Sequence, residues 1–512
     1  MTMRVLFLPH NLRHSYYHGL FSEASKKPDW DIAITGPENQ RKAWTNGVCS
    51  SDNYFVLPDF SKTMDWEADQ VKFARLSAEI AKSEIRANIP LNRVVLAGER
   101  EIGRNFGRDF YYWPQSKLMK CALSDNSQPA TIATRMFAFL DDVVGRFQPD
   151  IIISGIIGSP LDLTASLVAS SHQIPFAMNR PSKILDGKCF WTMDRGMYNV
   201  QARESYDRLI AERKDASAGA LERVQKFREQ PKTIEYILKN WSRGNKIGWL
   251  KSHKNFADRF LAHVAHFVKR RTGAPPKPVL SAVLEYYRGE YLNRRQSHLY
   301  SVFSDEDLAI IKYIYLPLHK EPEIALNYQA IDWHNQKNTI AQLSAHLPHG
   351  YRLLVREHRF NVGRRPTNYL ISIKRYPGVT LVHPLDPQFK YISNADLVVT
   401  ENGSSGWEGI LLGSPVIALS KNFYDPTGIS HKLSDSSKLG ESILSVLRNE
   451  QQPIDSAYLR KLALLYDAEA EAVIADDGSD NQRSLDIISG FACIAPSSSD
   501  RGSDTRTSGK TQ

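Results

Sequence analysis

Two Rossmann-like α/β domains facing a central cleft, with a helical basic insert between them, are what the sequence predicts, and three observations carry that reading. Short apolar, β-branched runs alternate with helical patterns through residues 301–450. The same alternation, weaker, opens the chain, and a charged stretch poor in strands separates the two. At 512 residues the chain is also too long for one core.

The N-terminal domain, residues 1–200, begins with a buried strand, Arg4 to Leu8, and a helical pattern through Phe21 and Ala24. A second strand follows at Asp31 to Ile34, closed by Gly36-Pro37. The run Pro149 to Gly155, a helix around Leu161 to Ser171 and the strand Ile174 to Met178 form a further βαβ unit. Residues 40–145 carry a weaker rhythm. The opening apolar run, Val5 to Leu8, spans only four residues before His10, Asn11 and Arg13, too short for a secretory leader. No stretch nears the ~18 apolar residues that cross a bilayer. Cys49, Cys121, Cys189 and Cys493 are far apart, which argues against a disulfide framework or a zinc site and for free thiols. Together these features predict a cytoplasmic protein.

Residues 201–300 read as a helical basic insert and linker, with long charged patterns at Tyr206 to Arg228 and Trp249 to Arg271, broken by Gly273 to Pro278. The net charge of +9 is local: Pro231 to Tyr300 holds 14 Lys/Arg against 4 Asp/Glu. Within 240–272, Phe256, Phe260, Val264, Phe267 and Val268 share one helical face among basic residues. That face suits packing on its own domain or lying on an anionic membrane surface, the latter implying a peripheral position at the inner face of the cytoplasmic membrane. No nucleic-acid motif accompanies the charge.

The C-terminal domain, residues 301–450, offers strands at Tyr313 to Leu316, Arg352 to Val355, Val379 to Val382, Leu397 to Thr400 and Val416 to Leu419, with helical patterns between them. Residues 451–495 read as C-terminal helices, and the Ser/Asp/Thr/Gly-rich 496–512 as a disordered tail.

Ligands of open α/β sheets sit beyond the carboxyl ends of the strands, so the strand ends are the candidate site. After Thr400 come Glu401, Asn402, Gly403, Ser404, Ser405, Gly406 and Glu408, where a helix start offers N–H groups to a phosphate. A Ser405–Glu408 capping box would give the same pattern without a ligand. After Val355 come Arg356, Glu357, His358 and Arg359, three of them potential cations for a nucleotide phosphate. After Leu316 come His319, Lys320 and Glu323. The base for an acceptor hydroxyl should come from the N-terminal domain, with Asp162, Glu99 and Asp109 as alternatives. No clustered D-x-D calls for a metal.

These residues carry a resemblance. Leu316-Pro-Leu-His319 with Pro322-Glu323, the strand-end Glu357-His358, and Gly406-Trp-Glu-Gly-Ile-Leu-Leu-Gly-Ser-Pro-Val416 followed by Asn422-Phe-Tyr424 resemble the capsule polysaccharide biosynthesis family, which includes bacterial β-Kdo transferases. The resemblance implies a GT-B-like fold and a glycosyltransferase that needs no cofactor. It would use a nucleotide-activated, CMP-linked sugar such as Kdo, with the donor on the C-terminal domain and a glycan or glycolipid acceptor on the N-terminal one. The chain departs from the family at His358-Arg359, where His-Pro is usual. Two alternatives follow from the same fold: a nucleotide-sugar epimerase, or a non-catalytic polysaccharide-binding or export accessory protein.

Overall fold

The computed structural model describes residues 2–9, 14–60, 64–97, 128–155, 157–232, 291–320, 323, 325–363, 365–433, 435–448 and 453–494. Glu99, Asp109, the 240–272 segment and the 496–512 tail lie outside them. The strands are β1 (Met3–Leu8), β2 (Trp30–Gly36), β3 (Tyr54–Val56), β4 (Ile151–Ser154), β5 (Phe176–Pro181), β6 (Lys188–Thr192), β7 (Lys312–Pro317), β8 (Tyr351–Arg356), β9 (Val379–Val382), β10 (Leu397–Thr400), β11 (Val416–Ala418), β12 (His431–Lys432) and β13 (Ile474–Ala475).

They form two sheets, the GT-B-like pair of Rossmann-like domains expected. The first runs β13-β6-β5-β4-β1-β2-β3 and the second β12-β11-β10-β7-β8-β9. Every pairing in the second sheet is parallel. In the first, β5–β6 and β6–β13 are antiparallel. Parallel strands are covered by helices on both faces, which is why β4 and β10 are buried throughout, β7 from Tyr313 to Leu316 and β8 from Leu353 onward.

In the second sheet the chain starts at β7, builds outward through β8 and β9, and then returns to place β10 on the other side of β7. That reversal opens a crevice beyond the carboxyl ends of β7 and β10, the usual ligand position in such sheets.

The helices Val200–Ala211 and Ala218–Glu229, read from sequence as part of a separate insert, pack instead into the second domain. Their Tyr206, Leu209 and Val224 share a core with Tyr313, Tyr315 and Trp407, and with Leu462 and Leu465 of the Ser456–Ala472 helix. The chain then crosses back. β13 pairs with β6, and Leu485 and Ile488 of the Asn481–Ala492 helix join the first domain's core with Phe7 and Phe21. Among the described residues no helix is long and apolar enough to cross a membrane.

Candidate functional site

Strands β10, β7 and β8 are neighbours, and their register sets Val398 beside Tyr315 and Pro317 beside Arg356. The residues following each strand therefore emerge on one edge: Glu401 and Asn402 after β10, His319 after β7, Glu357 and His358 after β8.

His319 is at the centre. Its Nδ1 lies 3.4 Å from Glu323 Oε2 and its Nε2 3.7 Å from Glu401 Oε2. Burial works against a charge on this ring, but the Glu323 hydrogen bond and the Glu401 and Glu323 charges outweigh it and raise the imidazole above its ordinary value. Glu323 also resists desolvation, yet His319, His358 and Lys320 hold it down at about 2. The backbone of His319 is fixed on both sides, its N–H donating to Gln336 Oε1 at 2.6 Å and its carbonyl accepting from Gln336 Nε2 at 3.2 Å and Arg365 Nη2 at 3.3 Å.

Next to it begins the helix Ser404–Leu412. Its N-cap is Gly403, which supplies no side chain, so the first-turn N–H groups have no side-chain cap. A Cβ on Gly403 would lie 3.5 Å from His319 Nε2, which places the imidazole against the helix start. The Ser405–Glu408 capping box does not form. Glu408 Oε2 accepts instead from Gln388 Nε2 at 3.1 Å. Asn402, 2% exposed, donates to Gln329 Oε1 at 3.3 Å, while its Oδ1 has no hydrogen-bond partner. Gln329 in turn donates to the Gly196 carbonyl at 2.6 Å, tying this edge to the first domain.

The residues after β8 are used differently from the cation cluster that the sequence suggested. Arg356 is buried and gives Nη2 to the Pro384 and Asp386 carbonyls at 2.7 and 3.0 Å. Glu357, 0% exposed, forms a close ion pair with Arg365, 1% exposed. It also accepts from the His358 N–H at 2.6 Å and Asn361 Nδ2 at 3.1 Å. It is a structural anchor. Burial pushes His358 down to about 3, which favours its neutral form.

Asp162 has a different role from the base expected of it. Its Oδ1 accepts from Ser154 Oγ at 2.8 Å, and its Oδ2 accepts from Gly158 N at 3.2 Å, Ser159 N at 3.0 Å and Ser159 Oγ at 2.8 Å. These bonds complete a capping box on the helix Pro160–Ser171. A carboxylate whose oxygens are so fully used by hydrogen bonds holds this loop in place.

The sequence reading missed Lys183, Arg180, Gln329 and Arg365. Lys183 and Arg180 follow and end β5, so applying the strand-end rule to the first domain would have found them. Arg365 sits in a loop with no periodic signal. Among the described residues no group of three or more His, Cys, Asp or Glu is placed to hold a metal ion.

Glu408, 4% exposed, gives a pH prediction. Burial pushes its carboxyl up to about 7 from the usual 4.5, with Arg356 pulling the other way. The folded state thus holds this proton more tightly than the unfolded chain. The stability it contributes is complete below pH 4.5 and is lost as pH rises through 7. Glu408→Gln, which can still pair with Gln388, is expected to flatten this slope and to gain up to about 3 kcal/mol at pH 8, at ~1.4 kcal/mol per pKa unit. Urea unfolding at pH 5 and 8 checks this; an unchanged difference between the two would count against it.

No protein-family model and no curated protein matches the chain. Solved structures similar to it include a UDP-GlcNAc 2-epimerase from Neisseria meningitidis bound to UDP-GlcNAc, at 13% identity and TM-score 0.28, covering 96% of this chain and 100% of that one. The β-Kdo 2,7 transferase KpsC of Thermosulfurimonas dismutans is similar at 11% identity and TM-score 0.31, over 64% of this chain and 79% of that one. The glycotransferase of kitacinnamycin is similar at 13% identity and TM-score 0.25, over 96% of this chain and 96% of that one.

Proposed function

We propose that the chain binds a nucleotide sugar in the crevice beyond β7 and β10 and transfers its sugar to a glycan or glycolipid of a bacterial surface polysaccharide. The observation that supports this reading most is the pairing of an uncapped helix start at Ser404 with His319, an imidazole held between two carboxylates that raise it above its ordinary value. Breaking the bond between the anomeric carbon and the donor phosphate leaves negative charge on a phosphate oxygen. Fixed N–H groups and a nearby imidazole that can donate a hydrogen bond are suited to stabilise it. Ser404, Ser405, Gly406 and the Asn402 amide lie at the same end of the helix, and His358 offers a neutral ring for a ribose or base. A CMP-linked donor belongs to this proposal through the family resemblance, and Glu99 and Asp109 are its candidates for the base on the N-terminal domain.

His319→Ala is expected to weaken nucleotide binding at least about tenfold, the scale of removing one charge-assisted hydrogen bond. Calorimetric titration of the purified chain with CMP, UDP and GDP measures it and identifies the base. If none of the three binds at millimolar concentration, the donor-site assignment is refuted. Donor consumption without acceptor would redirect the reading to epimerisation.

A further inference from the structure

The crevice is bounded across the domain interface by a cation that the donor reading does not use. Lys183 follows β5 at the carboxyl edge of the first sheet and lines a small pocket with Arg180, Tyr198, Gln329, Phe423 and Glu469. Its Nζ lies 5.5 Å from the centre of the Phe423 ring, on the second domain. It is close enough for the charges of Lys183, Glu323 and His319 to act on one another. Among the described residues no carboxylate lies within ion-pair distance of Nζ, and Glu323 is already committed to His319. The other carboxyl in the cavity wall, Glu469, accepts from Ser182 Oγ at 2.6 Å and Asn199 Nδ2 at 3.1 Å, and burial raises it towards the neutral form.

We propose that Lys183, with Arg180 behind it, is an anion subsite contributed by the first domain, which takes a phosphate or sugar carboxylate of the substrate held on the second. A partly buried ammonium without a counter-ion is costly, and an incoming anion is what would relieve it. The balance of charge favours this. Arg180 adds a second positive group, burial raises Glu469 towards its neutral form, and Glu323 is paired with His319. Burial and the Arg180 charge together push Lys183 down to about 8, with Glu323 opposing. Since the ammonium comes from one domain and the helix start from the other, an anion bridging them would also draw the domains together. The assignment of the bound molecule as a nucleotide sugar rests on the donor-site reading; the anion subsite itself does not.

The test is calorimetric titration of the full chain with pyrophosphate and, separately, with glucuronate, for wild type, Lys183→Met and Lys183→Arg. Wild type is expected to bind at least one of them. Lys183→Met should weaken that binding tenfold or more and Lys183→Arg less than about threefold, since the charge is kept. Unliganded Lys183→Met should melt no lower than wild type, which separates loss of the subsite from loss of fold. Dependence on Lys183 for pyrophosphate alone assigns a phosphate; dependence for glucuronate assigns a sugar carboxylate. The inference is overturned if wild type binds neither anion or if Lys183→Met binds both unchanged. CMP binding that persists in that second case leaves the donor-site reading standing. A chain whose pyrophosphate binding needs Lys183 but which binds no nucleotide refutes the donor reading and keeps this one.

Discussion

Arg365→Met is expected to destabilise the second domain by about 3–5 kcal/mol, the usual cost of stripping one partner from a buried ion pair. Glu357, 0% exposed and hydrogen-bonded to the His358 N–H and the Asn361 amide, would be left as a carboxylate inside the protein without its guanidinium partner. Arg365 does more than neutralise it. Its Nη2 donates to the His319 carbonyl at 3.3 Å, its guanidinium lies over the Tyr369 ring at 4.9 Å, and its own carbonyl accepts from Gln296 at 2.7 Å. It therefore joins the end of β8 to the end of β7, and the crevice should loosen along with the fold. The double variant Glu357→Gln/Arg365→Met is expected to be more stable than Arg365→Met alone, because it removes the orphaned charge as well as the pair. Denaturant unfolding of the four proteins of that cycle, with nucleotide titration of any that stay folded, measures both effects. A double variant no better than the single would place the cost in packing rather than charge.

The sequence showed the architecture of the second domain because each of its inner strands is a short apolar run buried on both faces. Leu397 to Thr400 leaves little room for another assignment. The strands at one end of the first sheet were less visible. Lys188–Thr192 and Ile474–Ala475 pair antiparallel with one another, and their place is set by a chain crossing between domains that no local pattern encodes. The helices at 200–229 looked like an independent insert because each buries only two or three side chains; what claims them is the Ser456–Ala472 helix, far away in sequence. At the candidate site, the strand-end rule groups His319, His358 and Asn402, which follow three neighbouring strands. It could not tell a ligand group from a structural one. Glu357 and His358 are adjacent, yet one is sealed against Arg365 and the other is pushed towards its neutral form by burial. That division depends on which side chains surround them, and the place of Lys183 depends on how the two domains meet.

Gly406→Ala is the sharpest test of whether the helix start itself is the binding element. Gly406 lies in the first turn of the Ser404–Leu412 helix, where alanine is ordinarily the better residue. Here a Cβ would overlap the Tyr424 hydroxyl outright, and would lie 2.7 Å from Tyr424 Cζ and 2.9 Å from Thr400 Cγ2. The ring cannot swing away easily. Tyr424 is fully buried, stacked with Trp407 at 6.4 Å and 16° and edge-on to Phe423 at 5.1 Å. Overpacking of this kind costs about 1–3 kcal/mol, and the added clash with Thr400 of β10 puts this case at the upper end. The cheaper response is for the first turn to move off the sheet, which displaces the N–H groups from His319. Nucleotide binding should then fall more than the fold suffers, by a hundredfold or more for a loss of about 3 kcal/mol at the site. Tyr424→Phe supplies the control. The Tyr424 hydroxyl is buried and, among the described residues, has no hydrogen-bond partner, so removing it alone should leave stability unchanged or raise it by about 1 kcal/mol. In the double variant Gly406→Ala/Tyr424→Phe the worst overlap is gone while the Cζ contact remains, so partial recovery of binding is expected. Calorimetry on the three variants reads the result. Full binding by Gly406→Ala would mean that the nucleotide does not sit on this helix, whereas recovery in the double variant would tie the affinity to where the first turn stands.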